Sequence, residues 1–274
     1  MHMFKPIYKT SYGIALCRYN KEKNNQPEIL MIKKRYTYHY FSFVLGHYKK
    51  YNNKQLQYLF NNMTFGEKVD ILSMKFHTMW YRIWFWDPEN SNTYDKKRNQ
   101  GFIIDPKCYA KKKAKFENIF SRDGGKRLMR LINNSTNSVT PWEIPKGSAN
   151  PDEKDLDCAR REFEEETNIY SDKYSILWNV KPIKSSHKDD NIIYNSVYYL
   201  ASFDTSSLWK PKVKFETNDQ MVEIEQVQWV ALSEINFLNL NDDSKNRLQI
   251  LYKKIIGAFK KNIKNITELT KHTF

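Results

Sequence analysis

Two apolar runs open the chain, SYGIALCR at 11–18 and EILMIKKR at 28–35, with the polar, turn-rich KEKNNQP between them. Short aliphatic runs on either side of a turn signal predict a β-hairpin. Near Lys33 the spacing lengthens. Leu56, Leu59 and Phe60, then Val69, Ile71, Leu72, Phe76, Met79 and Trp80, recur closer to the helical period than to alternation. Thr64, with Glu67 three residues on, predicts a capped helix start. The run FHTMWYRIWFW at 76–86 is too short to span a bilayer and contains His77 and Arg82, so it reads as the aromatic core of a helix. DPENSNTYDKKRNQG at 87–101 reads as a loop, 107–133 as a basic helical stretch and NNSTNSVTP at 133–141 as a linker.

From Trp142 the texture changes again. A strand-like WEIP leads through a loop into a helix from about Asp155 to Thr167. Strands are expected near 176–183, at 192–203 and at 223–231, with a turn at Lys188-Asp189-Asp190-Asn191 and a basic helix over about 244–265. The simplest organisation is an α/β domain made of residues 1–36 and 139–274, interrupted by a mostly helical insertion at 37–138.

Charge sharpens this division. The chain of 274 residues carries a formal net charge of +14, unevenly spread. Residues 36–140 hold 18 Lys/Arg against 8 Asp/Glu, whereas 141–243 hold 11 against 20. A basic frame thus surrounds one acidic segment, and such a frame attracts polyanions. Candidate phosphate contacts are Lys96, Lys97 and Arg98, then Lys111, Lys112 and Lys113 with Lys115, and then Lys210, Lys212 and Lys214, whose alternation would put three lysines on one strand face. Any one such cluster is ordinarily a solvated surface; all of them together point to a long anionic partner. Cys17, Cys108 and Cys158 are odd in number and form no CxxC pair, which argues against a disulfide framework or a zinc site and fits a reducing compartment. MHMFKPIYKT leads directly into strand-like sequence, so no signal peptide is expected. His39, His47, His77 and His187 lack metal-ligand spacing.

The acidic segment holds the chemistry. In EFEEE, the residues Glu162, Glu165 and Glu166 share one helical face within about a third of the circle. Leu156, Ala159 and Phe163 lie on another face, free to pack on a sheet. Three like charges at that spacing repel, and hard divalent cations with oxygen ligands would relieve them. Taken alone, such a face is ordinarily just solvated; its surroundings change the reading. Gly147, Glu153, Arg161-Glu162, Phe163 and Glu165-Glu166 stand in the spacing G-x5-E-x7-R-E-U-x-E-E, with U apolar.

This pattern resembles the box of the Nudix hydrolases, G-x5-E-x7-R-E-U-x-E-E-x-G-U. Every fixed position matches except the last glycine, here Asn168, and Ile169 fills the final apolar place. Asn is the residue that next best tolerates the left-handed conformation ending a helix. The resemblance implies a Nudix α/β/α sandwich and hydrolysis of a nucleoside diphosphate linked to another group, by attack of water on phosphorus. It implies that Glu162 is a metal ligand or general base, that Glu165 and Glu166 ligate Mg²⁺ or Mn²⁺, and that the backbone carbonyl of Lys146 also reaches metal. Glu153 would more often pair with Arg161 than bind metal. The WEIPKG opening is similar to decapping and diphosphoinositol-polyphosphate members. Glu223-Ile224-Glu225-Gln226-Val227-Gln228-Trp229 resembles a decapping strand whose first glutamate approaches the metals, which makes Glu223 a site candidate; the other reading is a strand-edge charge. KTSYGIALCR, IKKRY, FNNMT, MWYRIW and CARREFEEET are similar to the decapping Nudix proteins of large cytoplasmic DNA viruses. That resemblance implies a virus-encoded protein of the host cytoplasm, capped RNA as partner and an RNA-binding insertion. Inositol polyphosphates are the alternative substrate, and a homodimer is left open. An RNA-binding protein with an inactive box is the reading from another class; it is motivated by Asn168, and the intact REFEEE argues against it.

Overall fold

A computed structural model describes residues 7–84, 105–189, 192–203 and 218–271. Strands β1 (Ile7–Asn20) and β2 (Gln26–Lys34) form the expected hairpin; β1 is longer at both ends than its apolar run, and β2 starts two residues earlier and ends one earlier than its run. Asn24 and Asn25 turn it in the left-handed region, with φ of 52° and 55°, where asparagine is tolerated. Two-residue strands β3 (Trp142–Glu143) and β4 (Lys146–Gly147) pair antiparallel with β2 and β1. Strand β7 (Ile192–Phe203) runs parallel to β1 from Ile7↔Ile192 to Cys17↔Ser202. β5 (Tyr174–Ile176) and β6 (Ile183–Asp189) both pair antiparallel with β7, and β8 (Ile224–Ala231) pairs antiparallel with β2.

Why the hairpin reads as continuous apolar runs follows from its place at the centre of the sheet. Successive side chains face opposite sides. Ile14, Leu16, Leu30 and Ile32 pack with Ala159 and Phe163 on one face, while Ala15, Cys17, Ile29 and Met31 pack with Leu251, Tyr252, Ile255 and Phe259 on the other. Both faces are covered, so no polar alternation survives. The result is an α/β/α sandwich.

The helices between β2 and β3 have a core of their own. They are α1 (Tyr38–Val44), α2 (Asn53–Asn61), α3 (Phe65–Ser73), α4 (Phe76–Arg82), α5 (Pro106–Phe116) and α6 (Lys126–Asn133). Tyr40, Phe43, Phe60, Trp80 and Phe120 belong to a buried cluster whose members all fall between Tyr40 and Leu131. Thr64 and Glu67 make the expected reciprocal cap at the start of α3. Glu67 also accepts from the Thr37 N–H at 2.5 Å and hydroxyl at 2.9 Å, tying α3 to the start of α1.

Four expectations change. The stretch 176–183 is not one strand: a turn closed by the Val180 N–H on the Leu177 carbonyl separates β5 from β6, as Asn179 and Pro182 would favour. Lys188 and Asp189 belong to β6 rather than to a turn, and Asp190 and Asn191 fall outside the described residues. The 107–133 stretch breaks after a π-helical turn at Glu117–Ser121, because Gly124 and Gly125 adopt φ of 64° and 79°. Glu223 does not begin β8; it ends a short helix, α8 (Asn218–Glu223). The box helix α7 (Asp155–Thr167) stands where expected, and α9 (Asp242–Lys271) extends the predicted C-terminal helix at both ends. The loop expected at 87–101 lies outside the described residues.

Candidate active site

The site begins with two close approaches at glycines. At Gly13 a Cβ would lie 2.1 Å from the Pro145 carbonyl oxygen, so β1 lets the WEIPKG segment pack directly on its backbone. At Gly147 a Cβ would lie 1.9 Å from the carboxyl carbon of Glu162. The loop backbone thus borders the space that the helix carboxylate occupies.

α7 is held to the sheet by Cys158, Ala159 and Phe163, all buried. Asp155 and Asp157 in its first turn suit the positive end of the helix dipole, but the glutamates of its last turns face the negative end. They need cations, and two are provided. Arg161 donates Nε and Nη2 to the two oxygens of Glu153 at 2.8 and 2.9 Å, and Nη1 to Glu162 at 2.8 Å and Glu165 at 3.0 Å. Glu153 also accepts the Asn150 N–H at 2.8 Å. The Arg161 bonds hold the Glu153 carboxyl down at about 2. Lys34, at the end of β2, donates Nζ to Glu166 at 2.5 Å and to Glu223 at 3.0 Å. The other Glu166 oxygen accepts the Lys146 N–H at 2.9 Å. Burial pushes the Glu166 carboxyl up to about 7, with Lys34 pulling the other way. Burial also raises Glu162, and the nearby Glu223 charge adds to this while Arg161 opposes it.

Asn168 ends α7 in the left-handed region at φ 55°, ψ 28°, and its N–H reaches the Glu164 carbonyl at 2.8 Å. Its side-chain amide donates to Gln220 on α8, and Gln220 donates to the Glu166 carbonyl at 3.3 Å. The residue that departs from the glycine pattern therefore links the box helix to the helix carrying Glu223.

Glu162, Glu166 and Glu223 line one cleft of about 950 Å³. Helices α1 and α2 supply one wall with Tyr38, His39 and Tyr58. β1, β6 and α9 supply another with Lys9, Lys184, Lys188, Arg247 and Lys254. Tyr38 donates its hydroxyl to Glu143 at 2.6 Å, and Glu143 is ion-paired with the Lys146 ammonium. Glu162, Glu166 and Glu223 offer carboxylate oxygens, the ligand type that hard divalent cations take. Among the described residues no three acidic, His or Cys side chains stand together as a ready-made cage, because Lys34 and Arg161 are interposed.

Several expected residues fall elsewhere. Glu165 is on the Arg161 side, 40% exposed, and does not line the cleft. Lys111, Lys112 and Lys113 lie on α5, away from the cleft, and Lys115 is occupied by the Gly46 and Tyr48 carbonyls at 2.7 and 2.6 Å. Lys96, Lys97, Arg98, Lys210, Lys212 and Lys214 lie outside the described residues. Sequence reasoning missed Lys34 and Gly13. A signal for Lys34 existed: it continues the alternation of Leu30 and Ile32, whose face meets α7.

A glutamate-rich helix following a glycine loop, laid on a mixed sheet, defines a Nudix domain, and the NUDIX domain profile matches residues 118–251. That match leaves out β1 and β2, which nevertheless form the middle of the sheet. The chain is 35% identical over 262 residues to the mRNA-decapping protein g5R of African swine fever virus (isolate Warthog/Namibia/Wart80/1980), covering 94% of this chain and 96% of that one. It is 36% identical to g5R of the Badajoz 1971 Vero-adapted strain, with 84% of this chain and 87% of the relative covered. The RNA pyrophosphohydrolase of Bartonella henselae is 26% identical over 54% of this chain and 89% of its own. The chain belongs to the Nudix hydrolase family, with viral decapping proteins as relatives along nearly its whole length. Nudix hydrolases are generally dependent on divalent metal. No helix among the described residues is long and apolar enough to cross a membrane.

Proposed function

We propose that the chain removes the 5′ cap of mRNA by Mg²⁺- or Mn²⁺-dependent hydrolysis, releasing methylated guanosine diphosphate and 5′-monophosphate RNA. The observation that carries this reading is the shared cleft, where Glu162, Glu166 and Glu223 face basic walls that suit a polyphosphate. The mRNA decapping for which the g5R relatives are named supports the substrate. In this reading Glu162 and Glu166 would hold the metal, with the Lys146 carbonyl beside them; Glu165, bonded to Arg161 outside the cleft, would be a further ligand only where its side chain turns in. When bound, the metal supplies positive charge to the pyrophosphate oxygens. Glu223, half-exposed in the cleft, accepts the proton of the attacking water. Attack on phosphorus breaks a P–O bond of the pyrophosphate linkage and leaves one phosphate on the RNA. Glu153 works through Arg161, which it fixes with two bonds, so that Arg161 orients Glu162 and Glu165.

The helical segment 37–138, with its own core and its excess of basic residues, is the proposed RNA-binding domain, and residues 1–36 and 139–274 form the hydrolase domain. Lys96, Lys97, Arg98 and Lys111 to Lys113 are the proposed phosphate contacts of that domain, with Lys210, Lys212 and Lys214 on the hydrolase side. The viral origin of the relatives supports a virus-encoded protein acting in the host cytoplasm. Lysines from three elements around one cleft also favour diphosphoinositol polyphosphates as a second substrate of the same site. Glu162→Gln and Glu166→Gln should each abolish hydrolysis of capped RNA while RNA binding, read by fluorescence anisotropy, persists. Wild-type turnover by Glu166→Gln would refute the metal assignment.

A further inference from the structure

Lys34 stands at the floor of the cleft with its ammonium between two carboxylates assigned above to metal and catalysis. It is 7% exposed and Glu166 is 5% exposed. Both Glu166 oxygens are taken by protein donors: Oε1 by Lys34 at 2.5 Å, and Oε2 by the Lys146 N–H at 2.9 Å. The same ammonium holds Glu223 at 3.0 Å. An ion approaching Glu166 from the cleft therefore meets a positive charge already in place.

The backbone of Lys34 is fixed, since its N–H donates to the Pro141 carbonyl at 2.9 Å. Its side chain is a point charge on a flexible four-carbon stem, and it lines the open cleft. The side chain is thus the part that can move, and the cleft is where it can go. Two carboxylates left facing each other in a poorly solvated site are unfavourable unless some cation compensates them.

We propose that Lys34 is an internal counter-cation: it holds Glu166 and Glu223 in the metal-free protein and gives up their oxygens when a divalent ion binds. Its charge stabilises the empty site and opposes loading of the metal. The ammonium released into the cleft remains charged and lies where substrate phosphates enter. The inference rests on the reading of Glu166 and Glu223 as metal-facing groups.

The test compares wild type, Lys34→Met and Glu166→Gln for Mn²⁺ binding, read from the electron paramagnetic resonance of free Mn²⁺, and for melting in chelator. Lys34→Met should melt lower than wild type without metal, bind Mn²⁺ about tenfold or more tightly, and recover stability as Mn²⁺ is added. Equal or weaker Mn²⁺ binding by Lys34→Met, with binding lost in Glu166→Gln, overturns the role of Lys34 and leaves the metal site standing. Equal binding by wild type and Glu166→Gln overturns both. A second measurement needs no variant. Acetylation of Lys34 by an amine-reactive ester, read by peptide mass spectrometry, should rise several-fold when wild type is saturated with Mg²⁺; unchanged reactivity overturns the exchange.

Discussion

At Gly147 the missing side chain makes the room that the Glu162 carboxylate occupies. A methyl group there would meet the far end of a flexible side chain, so the fold should survive and the carboxylate should move. Gly147→Ala is expected to lower hydrolysis about 100-fold, as misplacing a reacting group by about an ångström does, with little change in melting temperature. An unfolded variant, or one of full activity, would contradict this. Asn168 makes a different argument. An alanine in its left-handed backbone costs about 1–2 kcal/mol, and the lost bond to Gln220 costs about 1 kcal/mol more. Glycine keeps the backbone and loses only the bond. Chemical denaturation should therefore rank Asn168→Ala as clearly less stable than Asn168→Gly. The box was legible in the sequence because Gly147, Glu153, Arg161 and the glutamates lie within one loop and one helix. Lys34 was legible only in part: its alternation with Leu30 and Ile32 gives its face, but its pairing with a glutamate 132 residues away rests on sheet packing.

Among the elements, the β1–β2 hairpin forms the middle of the sheet. It was readable from its two apolar runs, because a strand covered on both faces has no polar alternation to confuse it. Its partners were not readable. The parallel pairing of β1 with β7 joins residues 185 apart in the chain, and no local pattern encodes it. The break between β5 and β6 was missed because an apolar Leu177, Trp178 and Val180 fill the turn. The hairpin also holds a buried acid away from the cleft. Burial alone would raise the Glu28 carboxyl, but bonds from Asn20 at 3.0 Å, Arg18 at 2.8 Å and Lys23 at 3.1 Å outweigh it and hold its pKa below 4.5. A carboxyl lowered in the folded state contributes stability above its unfolded pKa, and that stability is lost as pH falls through the folded value. Wild type should therefore lose melting temperature below about pH 4.5 more steeply than Glu28→Gln. Parallel acid limbs for the two proteins would contradict it.

Across the whole molecule, the helical segment and the sheet share one cleft. Tyr38 donates to Glu143, and Tyr58 donates to Asp189 at the end of β6. These contacts and the lining of α1 and α2 make the segment a wall of the site as well as a basic surface. Its charge was legible from composition, while its place over the box was not. A long RNA should sense the whole basic frame and a cap dinucleotide only the cleft. Binding of RNA should weaken about 300-fold between about 50 and 200 mM salt if about six phosphates of a single strand are engaged. Hydrolysis of a cap dinucleotide should change far less over that range. The most direct test of the account is the product released from cap-radiolabelled RNA with Mg²⁺ or Mn²⁺, by wild type and by Glu166→Gln. Release of labelled methylated guanosine diphosphate by wild type alone is the predicted result. No labelled product from wild type, or the same product from both proteins, would contradict it.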